Sequence, residues 1–211
     1  MKKIILAVPK GRILEELTPL FLKINLQIES DFFDDNSRKL VFKTNLEFLE
    51  VVKVRSFDVA TFVKFGGADL GVCGLDVIQE FSSPEILSLI DLKIGKCRLS
   101  IAGMNQKNSL LWQEKSHLRI ATKYPKIASN YFAKIGIQTE IIKLNGAIEI
   151  APKLNLCDYI LDLVSSGKTL QENNMIEISK VFDVSSYLVV NRNAIKINSD
   201  QINQVIKIFD V

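Results

Sequence analysis

Ile4–Val8 is an unbroken apolar run that stops at Pro9, and from Ile13 onward Leu14, Leu17, Phe21 and Ile24 recur at helical spacing. A short run rich in branched apolar residues reads as a buried strand, and the second pattern as an amphipathic helix. Only Pro9-Lys10-Gly11-Arg12 separates them, so strand, tight turn and helix follow in order. The alternation then returns along the chain. Ser37–Phe42, after a polar turn at 34–36, and Phe48–Val54 read as strands. Ser56 reads as the N-cap of a helix carrying Val59, Phe62 and Val63 and ending at Gly66-Gly67. Leu70–Val72 is a short strand, with a helix over Val77–Phe81.

The second half repeats the scheme. Strands are expected at Arg98–Gly103, His117–Thr122, Glu140–Leu144 and Tyr159–Val164, with one more inside Val181–Asn191. A helix runs from Pro125 to Lys134 before Gly136, and Ser199 caps a last one through Ile202, Val205, Ile206 and Phe209. Strands alternating with helices predict an α/β fold with mainly parallel pairing. No internal repeat or low-complexity linker interrupts the 211 residues. Two α/β lobes without a linker imply chain crossovers and a cleft where the lobes meet.

Composition removes several function classes. Lys plus Arg number 27 against 24 Asp plus Glu, a net charge of +3, too even for a nucleic-acid or anionic-membrane binder. No apolar stretch approaches the roughly 20 residues of a membrane span, and the run before Pro9 is too short for a signal peptide. A soluble cytoplasmic protein is expected. The one histidine, His117, excludes a centre built on several histidines, and no metal site is expected. Three cysteines, at 73, 97 and 157, share no ligand-like spacing, and an odd count suits a reducing compartment.

The segment Asp158–Thr169 carries the most chemistry. Ser165-Ser166-Gly167-Lys168-Thr169 follows an apolar strand, and small residues there let successive backbone N–H groups curl around an anion. Gly167-Lys168-Thr169 also suggests a nucleotide-hydrolase phosphate loop, but Asp162 stands where that motif needs its first glycine. A carboxylate there would repel a bare triphosphate; it suits sugar hydroxyls or Mg²⁺, the combination found in phosphoribosyl diphosphate. An ordinary polar strand-to-helix turn is the alternative.

Gly66–Gly74 narrowly misses a dinucleotide fingerprint, because Asp69 replaces a glycine. It reads either as backbone approaching a ligand or as tight helix–strand packing. Lys10-Gly11-Arg12 falls at the carboxyl end of the first strand, where open α/β sheets hold ligands, and Arg12 can fork onto phosphate oxygens. Arg38 and Arg55 are further candidates at strand ends.

Seven ordered blocks, at 7–12, 55–63, 67–77, 91–99, 121–125, 145–152 and 158–169, together resemble the ATP phosphoribosyltransferase family. The resemblance implies two lobes similar to type II periplasmic binding proteins with an active-site cleft between them. Lobe I would be 1–92 plus 183–211, and lobe II 93–182. It implies transfer of the 5-phosphoribosyl group to N1 of ATP adenine with release of pyrophosphate, the first step of histidine biosynthesis. Arg12 and Arg38 would be catalytic, steadying the leaving pyrophosphate. Glu149, Asp158, Asp162, Ser165, Ser166, Gly167, Lys168 and Thr169 would bind phosphoribosyl diphosphate. Lys10, Gly11, Arg55, Cys73, Gly74 and Asp76 would bind ATP. Mg²⁺ would ride on the substrate.

The length is similar to the family's short form, which implies a homodimer of catalytic chains in a hetero-octamer with a regulatory subunit similar to histidyl-tRNA synthetase. Neither nucleic acid nor membrane is expected as a partner. Departures from the family pattern are Ser166 for a usual Thr, Asn155 for a common Gly and Ala147 for a common Ser. A substrate-capturing binding protein is the main rival, and a nucleotide kinase or hydrolase the second.

Overall fold

The computed structural model describes residues 3–34, 36–105 and 114–210. The chain divides into two compact units, Met1–Gly95 with Ser185–Val211, and Lys96–Val184.

Unit 1 contains β1 (Ile4–Pro9), α1 (Arg12–Lys23), β2 (Val41–Lys43), β3 (Leu49–Val54), α2 (Ser56–Lys64), β4 (Leu70–Gly74), α3 (Leu75–Phe81) and β5 (Ile86–Asp91). Its six-stranded sheet has the order β2-β3-β1-β4-β11-β5, where β11 is Ser186–Asn191; α6 (Arg192–Ile197) and α7 (Ser199–Phe209) follow it. The opening apolar run fits this place because both faces of β1 are covered. Ile4, Leu6 and Val8 point into a cluster with Leu17 and Phe21 of α1 and Ile202, Val205 and Phe209 of α7. Ala7 faces the other way, into a second cluster with Val59, Ala60 and Val63 of α2 and Val77 of α3. Continuous hydrophobicity, rather than alternation, is what such a strand requires.

Unit 2 is a five-stranded sheet of order β10-β6-β9-β7-β8. Its elements are β6 (Cys97–Met104), β7 (His117–Thr122), α4 (Pro125–Lys134), β8 (Gln138–Lys143), β9 (Tyr159–Val164), α5 (Lys168–Glu172) and β10 (Met175–Val184). Ala102, Ala121 and Ile160 pack on one face against Ile148, Ala151, Leu170 and Met175.

Four expectations need correction. Pairing is mixed rather than mainly parallel: β1 runs parallel to β3 and β4, and β7 to β8 and β9, but β2–β3, β4–β11, β5–β11, β6–β9 and β6–β10 are antiparallel. Val181–Asn191, expected to hold one strand, holds all of β11 and also the end of β10, and the two belong to different sheets. The strand expected from Ser37 begins only at Val41; the polar turn before it is closed by Asn36 N–H on Asp34 Oδ1 at 2.8 Å, and Asp35 lies outside the described residues. Ser56 and Ser199 are first helical residues, after Arg55 and Asn198, and neither helix has a side-chain cap bond. A side-chain cap is found instead on α6, where Asn191 Oδ1 accepts from Asn193 and Ala194 N–H at 2.9 and 3.1 Å.

Candidate functional site

In unit 2 the candidate site is a hollow of about 150 Å³ at the carboxyl end of β9. Strand alternation builds its floor. Ser100 and Ala102 on β6 share a face with Ile160 and Asp162 on β9, and Ser100 pairs with Asp162 in register. Ser165, Ser166, Gly167 and Thr169 form the wall, and Glu149 approaches from the 3-10 turn Ile148–Ile150. Asp162 therefore shares one cavity with the loop, as its placement in the sequence suggests.

The loop turns sharply because Gly167 adopts φ 80, ψ 0, a left-handed conformation that costs glycine little. Ser166 Oγ accepts from Lys168 N–H at 3.4 Å as α5 begins. Below the loop Arg98 Nη1 donates to the Ser165 carbonyl at 3.0 Å, while Nε and Nη2 hold both carboxylate oxygens of Glu177 at 2.6 and 2.5 Å. Ser100 Oγ donates to Glu177 Oε1 at 2.8 Å. The Arg98 guanidinium and this hydroxyl hold the Glu177 carboxyl below the usual carboxylate range, against a smaller effect of burial. Asn155 has φ 55 and Ala147 φ 51, so the asparagine indeed serves a left-handed position.

Three assigned residues keep their side chains out of the proposed sites. Asp158 precedes β9, and the strand's six residues separate it from the loop by about 20 Å at ~3.3 Å per residue. Its Oδ2 accepts from Arg119 N–H at 2.8 Å, and Lys115 Nζ lies 3.7 Å from Oδ1, which makes it a tether for β7. Lys168 turns its side chain to solvent at 80% exposure, with Glu172 at 3.8 Å. Cys73 lies in a fully buried strand, not a turn, and its side chain joins the cluster of Ala7, Val59 and Val77. Burial pushes its thiol far up, with Asp76 adding to the effect, so it is an inert core residue.

The same packing explains the glycines around it. A Cβ at Gly71 would stand 2.7 Å from Val59 Cγ1 and 2.8 Å from Val63 Cγ2, so close helix–strand contact demands glycine there. Asp69, in the would-be fingerprint position, accepts from Ile5 N–H at 2.9 Å and Asn198 Nδ2 at 3.2 Å; it is structural.

In unit 1 the cationic candidates gather at strand ends. β1 and β3 run parallel with Pro9 beside Val54, and Lys10 N–H reaches Val54 O at 2.8 Å, so Lys10 and Arg55 leave neighbouring strands side by side. Gly11 (φ 80) turns the chain into α1, whose first residue is Arg12. Arg12 Nε contacts Glu16 Oε1 at 3.1 Å, and Glu16 Oε2 accepts from Gly95 N–H at 2.7 Å. Asp76 is buried in the first turn of α3, and a Cβ at Gly74 would lie 2.2 Å from its Oδ1. Arg38 is exposed in the extended segment before β2.

Sequence reasoning assigned no role to Arg98, Ser100 or Glu177. The available signal was a cation and a hydroxyl at alternate positions of an otherwise apolar strand.

Comparison with solved structures agrees with this architecture. The Escherichia coli periplasmic aliphatic sulphonate-binding protein SsuA superposes with a TM-score of 0.60 at 12% identity, over 99% of this chain and 72% of that one. The fold is therefore the two-unit α/β fold of periplasmic binding proteins, here carrying a loop suited to an anion.

The chain belongs to the ATP phosphoribosyltransferase family, whose model matches residues 55–210. ATP phosphoribosyltransferases of Sphingopyxis alaskensis and Rhodospirillum rubrum are each 49% identical to it, over 98% of this chain and 92% of theirs. A solved ATP phosphoribosyl transferase (HisG:HisZ) complex from Thermotoga maritima contains a chain with TM-score 0.81 and 27% identity, covering 98% of this chain and 96% of that one. The activity is that of a pentosyltransferase at the first step of histidine biosynthesis.

Proposed function

We propose that the unit 2 hollow binds phosphoribosyl diphosphate, with the 5-phosphate on the amides and hydroxyls of 165–169 and the ribose hydroxyls on Asp162 and Glu149. The observation that carries this reading is the shared hollow itself, a carboxylate and an anion-suited loop within about 150 Å³. A phosphate needs donors; ribose hydroxyls need acceptors; Asp162 and Glu149 supply the second beside a loop that supplies the first.

ATP is assigned to unit 1, on Lys10, Gly11, Arg12, Arg38, Arg55 and the start of α3 at Gly74 and Asp76. N1 of adenine attacks with its own lone pair, so no strong base has to create the nucleophile. The costly event is charge: a cationic ribosyl centre develops while pyrophosphate leaves. Arg12 and Arg38 supply electrostatic stabilisation of that leaving group, and the loop supplies position.

Among the described residues no three His, Cys, Asp or Glu side chains are grouped to hold a metal ion. Glu149 and Asp162 nonetheless offer the hard oxygen donors that Mg²⁺ prefers, and fit an ion arriving on the substrate diphosphate. Bound there, it would neutralise part of the diphosphate charge.

A regulatory subunit is proposed by likeness to the HisG:HisZ complex. The finer reading is a homodimer of catalytic chains within a hetero-octamer. No helix among the described residues is long and apolar enough to cross a membrane, in keeping with a cytoplasmic site of action.

The test is to incubate the purified chain with ATP, phosphoribosyl diphosphate and Mg²⁺, with and without a candidate regulatory subunit. An N1-substituted adenine chromophore should grow in with stoichiometric pyrophosphate. Neither product under both conditions overturns the assignment.

A further inference from the structure

Arg98, Ser100 and Glu177 lie on the sheet face that carries the hollow, yet the reaction as assigned leaves Arg98 and Glu177 without a role. Ser100 is fully buried and lines the hollow, and its hydroxyl goes to Glu177 rather than to the cavity. Arg98 spans two groups at once, the Glu177 carboxylate and the Ser165 carbonyl. A planar guanidinium can do this with donors pointing in fixed directions; an ammonium cannot.

The consequence follows from peptide geometry. The Ser165 carbonyl and the Ser166 N–H belong to one planar trans unit and point in opposite directions. With the carbonyl pinned on Arg98, the Ser166 N–H must face the other way, and Ser166 lines the hollow. We propose that Arg98, aimed by Glu177, is a positioning residue for phosphoribosyl diphosphate, fixing the Ser165–Ser166 peptide so that its N–H is presented to the 5-phosphate.

This rests on the loop being the 5-phosphate site. Because Arg98 and Glu177 neutralise one another, the effect is orientation rather than attraction. Retaining positive charge alone should therefore not restore it.

The experiment measures KM for each substrate and kcat for Arg98→Lys, Glu177→Gln and Ser100→Ala in the full chain, with calorimetric titration of phosphoribosyl diphosphate. Arg98→Lys and Glu177→Gln should each raise KM for phosphoribosyl diphosphate about tenfold, the scale of one lost charged hydrogen bond, with KM for ATP within about twofold. Ser100→Ala, the mildest change if the others fold poorly, should raise it about threefold. An unchanged donor KM in Arg98→Lys, or an equal rise in both KM values, overturns the proposal.

Thr169→Val and Ser165→Ala separate the two levels of inference. If neither alters the donor KM, the loop assignment falls and takes this one with it. If they raise it while Arg98→Lys and Glu177→Gln do not, only the positioning role falls.

Discussion

The two units present their charge to ligands by different means. In unit 2 the loop 165–169 offers backbone groups, and its first carbonyl is fixed by an arginine that is itself held by a carboxylate. In unit 1 the candidates are long cationic side chains at strand ends; Arg12 is 52% exposed and bonded to Glu16, a residue one helical turn away. A backbone cradle selects for shape and cannot retreat from its ligand. Flexible cations supply charge and can follow it as it develops. On the proposed assignment, one unit would hold the sugar phosphate and the other would steady the departing diphosphate.

Damage to the two regions should then look different in kinetics. The largest effect is expected for Arg38→Ala, where turnover should fall about 10²–10³-fold, the scale for removing one donor to a developing negative charge, with the circular dichroism spectrum retained. Initial rates of pyrophosphate release at saturating substrates measure it, and unchanged turnover removes Arg38 from the chemistry. Next is Asp162→Asn, which should weaken phosphoribosyl diphosphate binding about tenfold, the cost of losing a charged acceptor, and ATP binding far less. Equal weakening of both in calorimetric titrations would erase the distinction between the units.

A smaller, pH-dependent effect separates Glu177 and Glu16, two carboxylates that each accept from an arginine side chain. Glu177 has its carboxyl lowered by Arg98 and Ser100, so the native state favours its ionised form. That stability is fully present above the ordinary carboxylate range and is lost as pH falls through the depressed native value. Thermal melts should find Glu177→Gln less stable than the parent near pH 7, with the gap closing in acid; a constant gap would exclude ionisation as its source. Glu16, lowered by Gly95 N–H and Arg12, obeys the same sign. Its ion pair with Arg12 is exposed, however, so Glu16→Gln should change urea-measured stability by only about 0.5 kcal/mol, less at high salt.

What could be read from residues alone follows the same division. β9 at Tyr159–Val164 and α4 at Pro125–Lys134 coincide with expectation because their signals are local: an apolar run meeting a serine-rich turn, and a proline opening a helix before glycine. β10 escaped because it is an edge strand whose register shifts twice, between Glu177 and Ser179 and between Lys180 and Phe182, which destroys alternation. The short α6 escaped too, although Asn191 is a good cap, since six residues carry too little periodicity. In the site, Asp162 and Ser165–Thr169 were legible as one contiguous stretch. Arg98 and Glu177 were not, being 79 residues apart and joined only by antiparallel closure of the sheet. Asp158 misled for the converse reason: four residues before Asp162 it looks like a neighbour, but an extended chain carries it to the far end of the strand.

Unit 2 is also an insertion whose entrance and exit meet. Cys97 opens β6 opposite Val184 at the close of β10, and in unit 1 Ser186 N–H bonds to Ile94 O at 2.9 Å, so both sides of the cut are already zipped. Antiparallel partners lie about 5 Å apart, a gap that a tight hairpin bridges. Each unit thus keeps the two ends of its own cut side by side, and a two-residue turn would be long enough to close unit 1 without residues 96–184.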